Sequence, residues 1–182
     1  MPTSIVVSYT LDRANRIVDV GGCWDNFALE NDAANLLEPH ILGREISEFV
    51  TGNTTRIFLF TMLDSSRVLD KPLTRPYRCD SPQYRRFMEM TLEPHPQGIV
   101  KLRHRLIRVE AVEYPIKFTI APENAPKGLI KRCSMCNQIN IKGDWLEASE
   151  AARQGLLTQA EQCQVIYGVC ENCQRCLPKL RY

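Results

Sequence analysis

Five of the eight cysteines in this 182-residue chain fall in two runs, CxxC at Cys133 and Cys136 and CxxCxxC at Cys170, Cys173 and Cys176, with 33 residues between them. Thiolate is a soft ligand, and a CxxC turn holds two sulfurs within about 4 Å of each other. Two such turns therefore close a tetrahedron around Zn²⁺ at about 2.3 Å. Cys133, Cys136, Cys170 and Cys173 are the expected ligands, with Cys176 as an alternative fourth. A site of four sulfurs leaves no open position, so the chemistry is structural, and the binding free energy is largely folding free energy for a small segment. The CxxCxxC run also suits an iron–sulfur centre, but the ferredoxin arrangement of a fourth cysteine followed by proline is missing, which leaves zinc ahead. Dithiol redox chemistry ranks third, because no strand leading into a helix N-terminus is evident at Cys133.

Other chemistry-bearing residues are more scattered. Strand alternation puts His104 on a face with Val100, Leu102 and Leu106, where it is either a satisfied core histidine or a ligand for haem or a small molecule. Met62, Met88 and Met90 form a stripe that suits plain core or the wall of a pocket for a flat apolar ligand such as flavin. Cys23, Cys79 and Cys163 read as small buried residues, His40 and His95 as loop residues beside prolines, and Trp24 and Trp145 as packing anchors. Arg78 and Asp80 share one side of a strand and suit a charge-assisted pair, while Lys101, Arg103 and Arg105 make a solvated basic stripe. No nucleophile motif, paired carboxylates in a pocket context or phosphate-binding glycine loop is present, so the expectation is a protein that binds rather than an enzyme. The absence of CxxCH excludes covalent c-type haem.

Bulk properties narrow the class. Hydrophobic residues make up 44% and charged residues 24%, which is ordinary globular composition. Residues 1–110 carry 14 basic and 14 acidic groups, and residues 111–182 carry 9 and 7, for a net charge of +2. A nucleic-acid partner is not expected, because such binders draw affinity from a clustered basic excess. No apolar run approaches the roughly 18 residues of a membrane span, and MPTSIVVSYTLDR has no leader pattern, so a cytoplasmic location is expected. In a reducing compartment the cysteines read as ligands and free thiols.

The elements that must position these residues follow from periodicity. SIVVSYTL and RIVDV, joined by DRAN, predict a hairpin with Ile5, Val7, Tyr9 and Leu11 on one face. Trp24 to Leu37 predicts a broken helix stopped by Pro39, and Thr54 to Leu69 predicts the longest helix. Three extended segments follow, at Leu73 to Cys79, Tyr84 to Glu93 and Ile99 to Val109, the last two joined by PHPQG. The expected fold class is α+β, with residues 1–110 as one domain, 111–130 as a proline-punctuated linker containing a strand near Ile116 to Ile120, and 131–182 as a small zinc module. Within that module, Trp145 to Leu157 predicts a helix with Asp144 as N-cap and Glu147 three residues on.

This element order, with WDNFALEND at 24–32, LGREISEFV at 42–50 and YRCDSPQYRRFMEM at 77–90, resembles the PAS sensory domain of bacterial signalling proteins over residues 4–110. The tail, CSMCNQI followed by YGVCENC, resembles a short cysteine module that follows sensory domains in some bacterial proteins. Those modules commonly read HGICPxC, so Tyr167 and Glu171 depart from the pattern. The resemblance implies a five-stranded antiparallel sheet cupping a cavity against the long helix, used to bind a small ligand or cofactor or to pair with another sensory domain. It also implies a protein signalling partner, since no output module follows in this chain, and a homodimer through the apolar first strand.

Overall fold

The computed structural model describes residues 6–30, 33–113, 115–122, 129–157 and 163–175. Strands β1 (Val6–Leu11) and β2 (Ile17–Gly22) form the expected hairpin, in which Asn15 takes a left-handed turn conformation (φ 60°) and the Asp12 carboxylate accepts the Arg16 N–H at 2.8 Å. Further on, β3 (Leu73–Arg78), β4 (Tyr84–Pro94) and β5 (Val100–Ala111) complete an antiparallel sheet of order β2-β1-β5-β4-β3. β1 lies inside this sheet, paired on one side with β2 and on the other with β5. The edge strands are β2 and β3.

One face of the sheet is apolar, as strand alternation requires. Val7, Tyr9, Leu11, Met88, Met90, Leu92, Val100 and Leu102 are all buried there. The long helix, α3 (Asn53–Leu69), supplies Phe58, Leu59, Met62 and Leu63 to the same core. Its Arg67 fastens both hairpin turns, donating from Nε to the Gly98 carbonyl (2.9 Å) and from Nη2 to Asp12 O (3.0 Å) and Asn15 Oδ1 (2.8 Å). On the opposite face, Arg105 pairs with Glu89 and Arg103 with Glu93, so acidic side chains from β4 interleave the basic stripe of β5.

The broken helix predicted over Trp24 to Leu37 resolves into α1 (Trp24–Glu30), a single 3₁₀ turn (Ala34–Leu36) and α2 (Glu38–Ile41). Pro39 does not end a helix but sits in the first turn of α2, where its missing N–H has no intrahelical partner to lose.

A second, mixed sheet is built by β6 (Phe118–Ile120), β7 (Ile130–Cys133), β8 (Ile139–Ile141), β9 (Asp144–Leu146) and β10 (Cys163–Gly168), in the order β6-β10-β7-β8-β9. Here the helix expected from Trp145 onward needs correction. Trp145 lies in β9, and α4 spans only Ala148–Arg153. Lys142 (φ 53°) and Gly143 (φ 105°) both adopt positive φ, the geometry of a two-residue hairpin turn, so the chain reverses where helix propensity suggested an N-cap. Among the described residues, no helix is long and apolar enough to cross a membrane.

The two sheets meet in contacts distant in sequence. β3 ends against the turn after β7, where the Arg78 N–H donates to the Met135 carbonyl (2.7 Å) and the Asn137 side chain donates back to the Arg78 carbonyl (3.2 Å). Thr55 of α3 and Ser134 share a hydroxyl hydrogen bond of 2.6 Å. Gly52, which precedes α3, has φ +87°, and a Cβ added there would lie 2.9 Å from the Tyr167 carbonyl oxygen of β10. Both the backbone conformation and the close approach exclude a side chain. Replacing Gly52 with alanine is therefore expected to lower unfolding free energy by about 1–3 kcal/mol, measured by urea denaturation, whereas alanine at Gly43, which has open space around it, should cost only the positive-φ penalty.

Candidate metal centre

Cys133, Cys136, Cys170 and Cys173 converge so that their sulfurs all lie within 4.8 Å of one another. The Cys136 and Cys170 sulfurs are 3.8 Å apart. A ZnS₄ tetrahedron with bonds of about 2.3 Å has an edge of about 3.8 Å, so this spacing is that of two ligands on one ion and far too long for a disulfide, at about 2.05 Å. Cys176, the alternative ligand, lies outside the described residues.

The convergence has a structural origin in the pairing of β7 with β10. These strands run parallel, with Gly168 opposite Cys133, so the two cysteine turns leave the sheet at the same end. The first turn is closed by Asn137, whose positive φ (60°) lets its N–H reach the Cys133 carbonyl (2.9 Å) while the Cys133 N–H donates to the Gln138 carbonyl (2.8 Å). The second turn passes into α5 (Glu171–Arg175). Backbone amides point at the sulfurs: Met135 and Cys170 N–H groups each lie 3.4 Å from the Cys133 sulfur, and the Cys173 N–H lies 3.5 Å from the Cys170 sulfur. Such donors stabilise thiolate over thiol.

Titration of the cluster is collective. Hydrogen bonds from Cys136 and then Cys173 hold Cys133 far below the usual thiol range, while the bond shared with Cys133 pushes Cys136 up to about 12 and also raises Cys173. Without a cation the sulfurs of Cys133, Cys136 and Cys173 thus favour a single negative charge, held on Cys133 by its two thiol neighbours. A divalent soft cation removes that limit by displacing the remaining protons, which makes the donor set a good match to Zn²⁺.

Burial completes the site. Cys133 and Cys170 are 0% and 1% exposed and belong to the same apolar cluster as Met62, Leu63 and Leu92, with Val169 beside them. Trp145 packs on this cluster and donates from Nε1 to Glu171 (2.8 Å), fixing β9 to α5. Tyr167 meets Arg132 through its hydroxyl, which accepts from Nη1 at 3.5 Å. The two departures from the resembled cysteine pattern therefore have their own contacts here.

The cavity candidates are distributed differently. Met62 (1% exposed) and Met90 (6%) are packed in the core between the first sheet and α3, and Met88 (3%) is buried outside that cluster. His104 is held by aromatics: Tyr9 stacks on it with centroids 5.4 Å apart, Tyr77 meets it edge-on, and the Tyr77 hydroxyl bonds its Nδ1 at 2.9 Å. Its Nε2 is buried with no partner among the described residues, and burial lowers its pKa to about 4, so the ring is neutral. Cys23, Cys79 and Cys163 are half-buried and lie outside the cluster. The anticipated pair of Arg78 and Asp80 is present, and Arg78 also donates bidentately to Glu147 (2.7 and 2.9 Å). Glu147 had no sequence signal for that role, because 69 residues separate it from Arg78. No protein-family model, curated protein or solved structure matches the chain.

Replacing Cys170 with serine should abolish metal binding and remove a large share of the roughly 10–16 kcal/mol that structural zinc contributes, whereas Cys163→Ser should leave metal content intact; metal analysis and thermal unfolding of both variants check this. His104 provides a pH test. Its folded pKa lies below the unfolded value of 6.5, so its stabilising effect is complete above pH 6.5 and declines as pH falls toward 4. The loss across that window should reach about 2–4 kcal/mol and be much smaller in His104→Phe, read from urea midpoints at pH 7 and pH 4.

Proposed function

We propose that this chain is a signal-sensing or adaptor protein that works by binding rather than by catalysis, with a structural Zn²⁺ holding its C-terminal part in place. The observation that carries the proposal is the convergence of Cys133, Cys136, Cys170 and Cys173 on one buried point. Four sulfurs saturate a tetrahedral ion, so an ion held there has no position left for water or substrate. Its role is to fix β7, β8, β10 and α5 against the first sheet.

The PAS-like reading of residues 1–110 draws support from the five-stranded antiparallel sheet and from the long helix α3 packed across its apolar face. In this reading the first sheet and α3 receive a small ligand or a protein partner, residues 111–130 connect to the metal-bearing segment, and the output passes to a partner protein in the cytoplasm, with or without homodimerisation. β1 offers no free edge for pairing between copies, so such a dimer would use another surface. The interleaving of acidic side chains with the β5 arginines weighs against a nucleic-acid partner.

A redox reading uses the same sulfurs for an iron–sulfur centre, or places haem or flavin near His104. Metal analysis and an absorption spectrum of protein purified without added metal separate the two. One zinc per chain and no visible absorption is expected; a broad brown absorption, a Soret band or flavin bands would overturn the zinc proposal in favour of the redox one.

A further inference from the structure

A cleft of about 320 Å³ lies where the end of the first sheet meets the second, and none of the four clustered cysteines lines it. Four cationic side chains, Arg78, Arg85, Lys117 and Arg132, face two carboxylates, Asp80 and Glu147, which leaves a local charge of +2. The carboxylates are already engaged. Asp80 pairs with Arg78, and Glu147 is shared between Arg78 (2.7 Å) and Arg85 (3.8 Å). The excess charge therefore resides on Arg132 and Lys117, neither of which has an ion pair among the described residues.

Arg132 is held in place, yet its Nε lacks an acceptor among the described residues. Its guanidinium lies over the Phe118 ring, 4.3 Å from the centroid, and among the described residues its Nη1 reaches only the Tyr167 hydroxyl at 3.5 Å. Its Nε is buried with no hydrogen-bond partner among the described residues. Ser81 Oγ, on the same cleft, is also buried and without a partner. Buried donors without acceptors are costly, and a guanidinium costs more than a neutral group. An oriented planar fork, a hydroxyl and a second cation on the exposed rim form a donor set for a tetrahedral oxyanion of charge −2.

We propose that this cleft binds a small molecule through a phosphate group, whose oxygens accept from Arg132 Nε and Ser81 Oγ while Lys117 approaches from the rim. The volume falls at the lower end of the range for small-molecule sites. This deepens the ligand-binding reading given above and rests on it, moving the ligand from the interior of the first sheet to the seam between the two sheets. Because Arg132 directly precedes Cys133, the metal centre fixes the backbone that presents the anion donor.

The test is calorimetric titration of inorganic phosphate into the metal-bound full chain at constant ionic strength, with acetate as comparison. Saturable binding of one phosphate per chain is expected, at least about tenfold tighter than acetate. Lys117→Gln should weaken it about tenfold and Arg132→Lys by at least as much, with zinc content and circular dichroism unchanged. If Arg132→Lys perturbs the fold, Lys117→Gln decides, since that side chain is exposed. Absence of saturable phosphate binding, or equal affinity in Lys117→Gln, overturns the proposal. Either result in protein that still carries one zinc per chain would leave the structural-zinc reading standing and remove only the cleft.

Discussion

The parallel pairing of β7 with β10 is the constraint on which the C-terminal half depends. With Gly168 opposite Cys133, two turns separated by a hairpin and a short helix emerge side by side, and their sulfurs meet. A shift of one residue in that register would turn alternate side chains to the other face and separate the turns. Few strand residues hold the register, since β7 and β10 share only four paired positions. So short a ladder is weak by itself, and an ion held by the cysteines at its one end would supply the restraint that pairing lacks.

That restraint extends into the first sheet. Cys133, Val169 and Cys170 are part of the apolar cluster that includes residues of α3, β4 and β5, so the ion site is walled on one side by the main core. Polar contacts complete the join: Thr55 with Ser134, Arg78 with the Met135 carbonyl, and Arg78 with Glu147. Arg78 is the busiest of these residues, engaging two carboxylates through its side chain and the first cysteine turn through its backbone. Its ion pairs gain from partial burial, where charge-assisted bonds are stronger than at an exposed surface.

Much of this was legible in the sequence where a single period runs long enough. Alternation in β4 and β5 and the helical stripe of Leu59, Met62 and Leu63 in α3 describe elements of 11 to 17 residues, and each carries its own signal. The clustering of Cys133, Cys136, Cys170 and Cys173 was legible because CxxC spacing is a local statement about sulfur geometry. What was not legible depends on short elements and distant partners. β8 and β9 have three residues each, and the decisive positive φ at Lys142 precedes a glycine within a stretch that otherwise favours helix. Glu147 resembled part of a capping box, but its carboxylate is taken by Arg78 across the seam. The cleft at that seam is assembled from several separate segments, and no window of sequence contains it.

β3 is an edge strand, and its outer backbone is covered at Arg78 by the cysteine turn. Pro76, within the same strand, further limits pairing with another chain. A fragment ending before Ile130 would lose that cover and uncover apolar side chains that Cys133, Val169 and Cys170 now shield. The cysteine-bearing segment thus shields the first sheet from self-association, and a fragment meant to isolate the sheet should retain it.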